Sequence, residues 1–212
     1  MGRTQAGAGD NHLASAFARW VFPSSGFEAY GEYGREDHSA DSRDFVQEPD
    51  HSRTYGLGFR KVFRKDSLQL SALRLELINY ELPTLARHRS EGGIYVHGVL
   101  RQGHTNLGQV LGADAGLGTG AGSLIAWDKY DRQGKFSIAW IRAVRQQDGA
   151  YFLTGVSSAR SNDVTYALQA ERLRYVGFGE VHGGLALVRE FNRDFQRDAW
   201  NVNSTLAFSH SF

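Results

Sequence analysis

Apolar and polar residues alternate with a period of two along most of the chain, which is typical of β-strands with one apolar and one hydrated face. The pattern is clearest near the C-terminus, where five apolar side chains share one parity: Trp200, Val202, Leu206, Phe208 and Phe212. The same alternation predicts nine strands, at residues 14–22, 26–35, 52–64, 67–81, 122–130, 134–146, 163–175, 178–190 and 200–212. We therefore expect an all-β, antiparallel fold.

The predicted connections alternate strictly between short and long. The short ones fall at residues 23–26, 64–67, 131–134 and 176–177, and the long ones at 36–51, 82–121, 147–162 and 191–198. Short turns on one side and long loops on the other are typical of a transmembrane β-barrel. Two local details are also predicted, a short helix at residues 42–48 and a β-bulge after Leu70, where the alternation changes phase.

A barrel closed from nine antiparallel strands would have one parallel seam, so we expect a partial barrel with long extracellular loops. The terminal Phe212, with Phe208 and Leu206 of the same parity, resembles the C-terminal motif by which outer-membrane barrels are recognised for insertion. Residues 1–13 are glycine-rich and polar and do not form a secretory signal, so we expect a disordered or truncated leader there. Residues 14–212 would then be the C-terminal part of the barrel.

The composition excludes several classes of protein. Lys and Arg number 24 against 23 Asp and Glu, so the net charge of +1 provides no broad field for nucleic acid. The absence of cysteine excludes disulfides, thiolate metal sites and cysteine nucleophiles. No apolar run is long enough for a transmembrane helix, whereas a barrel strand needs only about ten residues of alternating character.

Two stretches of the chain carry specific sequence motifs. The first is FEAYGEYGREDH at residues 27–38, followed by EPDHSR at residues 48–53. The second is YVHG at residues 95–98, followed by GHTNLGQVLG at residues 103–112. Both stretches resemble the Wzi family of capsule-assembly proteins. The resemblance covers most of the chain, from about residue 14 to residue 212, although the family's signal peptide, periplasmic helical segment and first strands have no counterpart here.

The resemblance implies an outer-membrane barrel of eighteen strands in a Gram-negative bacterium, with outer loops folded over its mouth. It also implies a non-enzymatic lectin that holds capsular polysaccharide at the cell surface, without a cofactor. The expected partners are the capsular polysaccharide, outer-membrane lipid and the barrel-insertion machinery. A porin-like channel for small solutes is the alternative, and a lipid-modifying barrel enzyme is a third possibility.

Binding of a polysaccharide needs aromatic or guanidinium faces for stacking, and polar side chains that bind hydroxyls or pair with uronic acid carboxylates. Residues 82–121 and 147–162 provide such side chains among glycines that let the backbone turn. The same residues have a structural interpretation, as internal hydrogen bonds of a plug-like loop or as an aromatic girdle. The candidates are Arg89, Tyr95, His97, Arg101, His104, Asn106, Gln109, Tyr151 and Arg160.

Other patterns favour no further site. The glycine-rich residues 112–122 lack both the dinucleotide spacing and the lysine of a phosphate loop. Eight histidines without an HExxH pattern predict no metal centre, and His104 with Ser90 or Ser123 has no nucleophile motif around it. Charged residues on the strands predict ionic networks in the barrel lumen, because arginine facing lipid at mid-membrane costs about 2–4 kcal/mol. These residues include Arg60, Arg74, Glu76, Glu171, Arg172 and Arg174.

Overall fold

The computed structural model describes residues 13–36, 42–47, 49–50, 53–64, 66–81, 95, 105–106, 109–110, 119–146 and 162–210. Within them lie a 3-10 turn at Pro23–Ser25 and one α-helix, α1, at Ser42–Gln47, where the sequence predicts a short helix. The strands are β1 (Leu13–Phe22), β2 (Phe27–Glu36), β3 (Arg53–Arg64), β4 (Leu70–Asn79), β5 (Thr105–Asn106), β6 (Gln109–Val110), β7 (Gly120–Asp131), β8 (Gly134–Arg145), β9 (Asp163–Val176), β10 (Gly179–Arg193) and β11 (Arg197–Ser209).

Nine long strands form one antiparallel sheet in the order β1-β2-β3-β4-β7-β8-β9-β10-β11, and β5 pairs with β6 in a separate two-stranded ribbon. Each long strand pairs with the next long strand along the chain, so the sheet is a meander. This confirms the prediction of an all-β, antiparallel fold with nine strands. The sheet is not closed, because β1 and β11 lie at its two edges and each has one neighbour in the described part of the chain.

The connections define two ends of the sheet. The short-turn end carries residues 23–26, 65–69, 132–133 and 177–178, and the long-connection end carries residues 37–52, 80–119, 146–162 and 194–196. The prediction of a long connection at 191–198 is wrong, because β10 extends to Arg193 and β11 begins at Arg197. Three connections at this end are therefore long and the fourth is a tight turn.

The tight turn between β10 and β11 contains residues with left-handed backbone conformations, which the alternation of apolar and polar residues does not predict. Asn192, Asp194 and Phe195 have φ angles of 55°, 51° and 58°, in the left-handed region that asparagine and aspartate tolerate best. The carboxylate of Asp198 accepts a hydrogen bond from the backbone N–H of Asn192 at 3.0 Å. These local bonds allow both strands to continue to within three residues of each other.

The predicted bulge after Leu70 is also wrong. The register of β4 with both neighbours is continuous from Leu70 to Asn79. The change of phase belongs to the preceding turn, where the Asp66 carboxylate accepts the N–H groups of Leu68 and Gln69 at 2.7 and 2.9 Å. Among the described strand pairs, the register shifts once, between Glu190 and Arg193.

The registers divide the sheet into two faces. The apolar face includes a central row of nine side chains, one from each strand in register: Trp20, Ala29, Phe59, Leu75, Ile125, Trp140, Leu168, Leu187 and Val202. The polar face carries the residues of opposite parity, such as Arg19, Glu28, Glu76, Asp128, Lys135, Gln169 and Asn201.

Burial differs between these faces. Ala72, Ala126 and Ala167 are buried on the polar face, as are the side chains of Asp128 and Ser137. Seven of the nine side chains in the central row of the apolar face are exposed: Trp20, Phe59, Ile125, Trp140, Leu168, Leu187 and Val202. Large apolar side chains thus remain uncovered, while the polar face buries small residues. In the described residues, no helix has the length and apolar character to cross a membrane.

Candidate functional site

A groove of about 480 Å³ lies on the polar face, where the first four strands meet. We call it the Tyr30 groove. Gly56 and Gly58 of β3 have no side chains, so no β3 side chain stands between the polar-face side chains of β2 and β4 at these two positions. This leaves the space of the groove. The polar-face side chains that line the groove are Phe17, Arg19, Glu28, Tyr30, Glu32, Glu76, Ile78 and Tyr80.

Tyr30 is fixed at the floor of this groove. It is paired with Gly58 across β2 and β3, and Gly58 is paired with Glu76 across β3 and β4. A Cβ atom at Gly58 would lie 2.0 Å from Cζ of Tyr30, so the ring lies directly on the glycine backbone. The ring extends to β4, where its hydroxyl donates a hydrogen bond to Oε1 of Glu76 at 2.7 Å. Tyr30 is nevertheless 38% exposed, so part of its surface is available to a ligand.

Carboxylates outnumber basic groups around the groove. Glu28, Glu32 and Glu76 line it together with one guanidinium, that of Arg19. Arg19 Nε donates to Oε1 of Glu28 at 2.7 Å, so this pair forms one wall as a unit. Arg60 lies in the next register row, between Glu28 and Arg74, and does not line the groove. The site can therefore accept hydrogen bonds at several oxygens, and the residues that line it carry more negative than positive charge.

A smaller hollow of about 190 Å³ continues the groove across the next strands. It shares Glu76 and Ile78 with the Tyr30 groove. Leu124 and Ile141 form part of its wall. The two cavities together follow the polar face from β1 to β8.

An ionic network lies beside these cavities. The carboxylate of Asp128, whose side chain is 2% exposed, accepts hydrogen bonds from Arg74 Nε at 2.7 Å and Ser137 Oγ at 2.6 Å. Lys135 Nζ lies 3.1 Å from the same carboxylate. A buried charge is tolerable only when it is paired and hydrogen-bonded in this way. An ionic network is thus confirmed for Arg74, whereas its place in a barrel lumen stays a prediction.

Two other members of the predicted network are on the opposite face. Arg172 and Arg174 have the parity of Leu168 in β9 and lie on the apolar face, towards the short-turn end. Arg172 is 3.7 Å from Asp131, which has the same orientation. The prediction was wrong for these two residues because it used their charge rather than their parity. Glu171, which directly precedes Arg172, does lie on the polar face, near His182 at 4.0 Å.

A second ion-pair cluster connects the tight turn to the sheet. One guanidinium nitrogen of Arg145 donates to Asp163 at 2.5 Å and to Asp194 at 2.8 Å. The backbone N–H of Asp194 also donates to Asp163, at 3.0 Å. The ring of Phe195 lies 5.1 Å from the guanidinium carbon of Arg145. The tip of the β10–β11 hairpin is thereby bound to β8 and β9.

The structure places three of the nine predicted sugar-binding residues. Tyr95 is buried and packs edge-on against Tyr80, with 6.0 Å between the ring centroids, so it supports a wall of the Tyr30 groove. Asn106 and Gln109 are paired backbone to backbone in the β5–β6 ribbon. The remaining predicted residues lie outside the described part of the chain: Arg89, His97, Arg101, His104, Tyr151 and Arg160.

Sequence reasoning did not identify Tyr30, Glu32 or Glu76 as site residues. Two glycines of equal parity in β3, opposite a tyrosine in β2, are the pattern that would have indicated a cavity, but the pattern is readable only once the strand register is known. The described residues contain no group of three or more acidic or histidine side chains arranged to hold a metal ion. Ser123, a member of the weak serine–histidine pairing, lies on the apolar face of β7.

No family model, curated protein or solved structure matches this chain. The fold is therefore described by its own topology, an open nine-stranded antiparallel meander with one apolar and one polar face. The resemblance of residues 27–38 and 103–112 to the Wzi family stays a prediction from the sequence.

Proposed function

We propose that this chain forms part of the wall of an outer-membrane β-barrel that binds capsular polysaccharide without catalysing a reaction. The observation that carries the proposal is the apolar face, whose central row contributes one apolar side chain from every strand of the sheet. An exposed apolar surface of this width indicates contact with a membrane or another protein. The next three features favour the membrane.

The lengths of the strands suit a bilayer. All nine strands of the sheet have between 10 and 15 residues. A tilted strand needs about 9–11 residues to cross a membrane, whereas strands in soluble proteins most often have about 5–6. Because all nine strands are this long, their lengths support the proposal that each strand spans a layer of the same thickness.

Aromatic side chains lie on the apolar face on both sides of the central row, towards each end of the strands. Such girdles are expected where the apolar band of a barrel meets the lipid headgroups, because aromatic rings suit the interface. The aromatic residues towards the long-connection end are Tyr33, Tyr55, Tyr166, Phe191 and Trp200, and those towards the short-turn end are Phe22, Phe27, Phe63, Trp127, Phe136 and Phe208.

The charges of the apolar face also fit anionic headgroups. Its acidic residues are Asp131 and Asp198, and its basic residues outnumber them and avoid the central row. Basic side chains at headgroup depth are attracted to anionic lipid. The basic residues are Arg35, Arg53, Arg142 and Arg189 towards the long-connection end, and Lys61, Lys129, Arg172 and Arg174 towards the short-turn end.

Closure of such a barrel requires more strands than the nine of this sheet. The edge strands β1 and β11 run in the same direction, since seven strands of alternating direction lie between them. An even-numbered antiparallel barrel needs an odd number of further strands between these edges. The proposal therefore places this sheet in a larger barrel, as the resemblance to the Wzi family implies.

The polar face would then line the lumen, with the Tyr30 groove open to it. Aromatic rings beside hydrogen-bonding groups suit saccharides, which combine apolar ring faces with hydroxyls. The predicted residues Arg101, His104 and Asn106 would add contacts from the long connection between β4 and β7. The partners under this proposal are capsular polysaccharide, outer-membrane lipid and the machinery that inserts barrels.

Binding to purified capsular polysaccharides tests the proposal. The chain, folded in vesicles that contain lipopolysaccharide, should retain a labelled capsular polysaccharide, and the same vesicles without the protein serve as the control. Replacement of Arg101, His104 and Asn106 together by alanine should weaken retention. An absence of retention by the unmodified chain would contradict the polysaccharide part of the proposal, whatever its membrane behaviour.

The polar face gives a specific reason to test the porin-like alternative. The charged side chains of Arg74 and Lys135 are partly exposed on this face, and a hydrated lumen lined by such groups conducts ions. Planar bilayers that contain the protein should show no steady single-channel conductance if the lumen is filled by loops, as the lectin proposal expects. Steady conductance without polysaccharide binding would favour the channel.

A further inference from the structure

We propose that the Tyr30 groove is a saccharide subsite in which the ring of Tyr30 stacks on a sugar that carries no carboxylate. This inference rests on the proposed function and assigns one site and one class of sugar to it. The groove has a volume of about 480 Å³, which lies in the range of small-molecule sites. It is formed by neighbouring strands of one sheet and needs no other part of the chain for its floor.

The ring of Tyr30 is held in place before any ligand binds. Gly58 provides a flat seat, because any side chain there would occupy the position of the ring. Glu76 holds the hydroxyl at 2.7 Å from the next strand. A side chain restrained at both ends loses little conformational entropy when a ligand stacks on it, and this preorganisation favours affinity. The exposed part of the ring is therefore a stacking platform.

Hydrogen-bonding groups surround this platform on the same face. Glu32 is paired with Phe17 across β1 and β2, so a carboxylate and an aromatic side chain stand together on one side of the ring. The Arg19–Glu28 pair stands on the other side. Carboxylate oxygens accept hydrogen bonds from sugar hydroxyls, and an arginine can donate to ring or hydroxyl oxygens. The groove thus offers both acceptors and a donor around a stacking surface.

The charges select the class of sugar. Three carboxylates and one guanidinium line the groove, and Glu32 lies on the side away from Arg60 and Arg74. A uronic acid would bring a further carboxylate next to Glu32, and like charges in a partly desolvated site repel. A neutral hexose avoids this repulsion, and an amino sugar gains an attraction. We expect affinity to fall in the order amino sugar, neutral sugar, uronic acid.

The experiment tests the ring of Tyr30 and the glycine beneath it with separate variants. Binding of chitosan tetramer, maltotetraose and tetragalacturonate to the full chain in detergent micelles is measured by calorimetry. Tyr30→Ala should weaken binding of the first two probes about tenfold, the value of one good aromatic stacking contact. Gly58→Ala should weaken it similarly, although every side chain that contacts the sugar is unchanged. Gly184→Ala, on the same face of β10 with ordinary contacts around its new Cβ, is the matched control and should bind as the unmodified chain does.

Each outcome has a defined meaning. Unchanged binding by both Tyr30→Ala and Gly58→Ala would overturn the subsite while leaving polysaccharide binding by the chain intact. Tightest binding of tetragalacturonate would overturn the charge argument. Binding of none of the three probes, together with no retention of capsular polysaccharide, would overturn the subsite and the proposed function together. Should Gly58→Ala fail to fold, shown by loss of its β-sheet circular dichroism, Tyr30→Ala and Tyr30→Phe decide, because Phe keeps the ring and loses only the bond to Glu76.

Discussion

Leu75 lies at the centre of the apolar face, and its replacement by arginine tests the contact of that face with hydrocarbon. It is paired with Phe59 on one side and Ile125 on the other, and it lies midway along β4. If this row lies at mid-membrane, Leu75→Arg should lower the free energy of unfolding by about 2–4 kcal/mol. That loss corresponds to a decrease of about 30- to 700-fold in the folding equilibrium constant.

Ser71 provides the matched control on the same strand and the same face. It lies four residues nearer the short-turn end and is paired with Lys129, so a basic residue already occupies this level of the sheet. Arginine near the membrane interface costs only about 0–1 kcal/mol, so Ser71→Arg should have a small effect. The difference between these variants measures the depth of the row rather than the general tolerance of β4 for arginine.

The measurement is reversible guanidinium unfolding of the chain in phosphatidylcholine vesicles, followed by fluorescence of its four tryptophans. Leu75→Ala removes most of the side chain without adding charge, and it separates the loss of leucine from the burial of arginine. Equal stabilities of Leu75→Arg and Ser71→Arg, within about 0.5 kcal/mol, would refute the depth argument. Folding of Leu75→Arg in water without lipid or detergent would refute it as well.

Two further predictions concern the polar face. Asp128→Asn should lower the free energy of unfolding by about 2 kcal/mol, because Asp128 is a buried acceptor of charged hydrogen bonds, one from Lys135. Guanidinium unfolding measures this free energy. The control is Glu171→Gln, which changes an exposed pair with His182 and should alter the free energy of unfolding by less than about 0.5 kcal/mol. Arg145→Ala should speed amide hydrogen exchange in the β10–β11 turn at least tenfold, because Asp194 loses its salt bridge to β8 and keeps its backbone bond to Asp163. Unchanged exchange in the turn would show that the remaining bonds suffice.

The alternation of residues predicted the sheet well because each strand has one apolar and one polar face. The predicted strand at residues 134–146 agrees with Gly134–Arg145, and the strand at 163–175 agrees with Asp163–Val176. The last strand begins at Arg197 rather than at 200, since pairing with β10 extends it beyond the alternating segment. Periodicity thus locates strand interiors, whereas strand ends depend on hydrogen bonds with neighbouring strands.

The features that escaped prediction depend on contacts between segments that are far apart in sequence. The Tyr30 platform combines three strands, and Tyr30 and Glu76 are 46 residues apart. The tight β10–β11 turn depends on left-handed residues and on Arg145, which lies 49 residues before Asp194. Neither can be read from local pattern. The faces of Arg172 and Arg174 were readable from parity, and the error there was to rank charge above period.

The most direct test of the central claim is the environment of each face of β9 in vesicles. The chain contains no cysteine, so a single cysteine placed in turn at each position from 166 to 171 carries one nitroxide label without ambiguity. We predict that labels at Tyr166, Leu168 and Ala170 collide with dissolved oxygen, which concentrates in hydrocarbon. Labels at the odd positions, Ala167, Gln169 and Glu171, should instead collide with a water-soluble nickel complex. Exposure of all six labels to the nickel complex, or a loss of the period of two, would contradict the account.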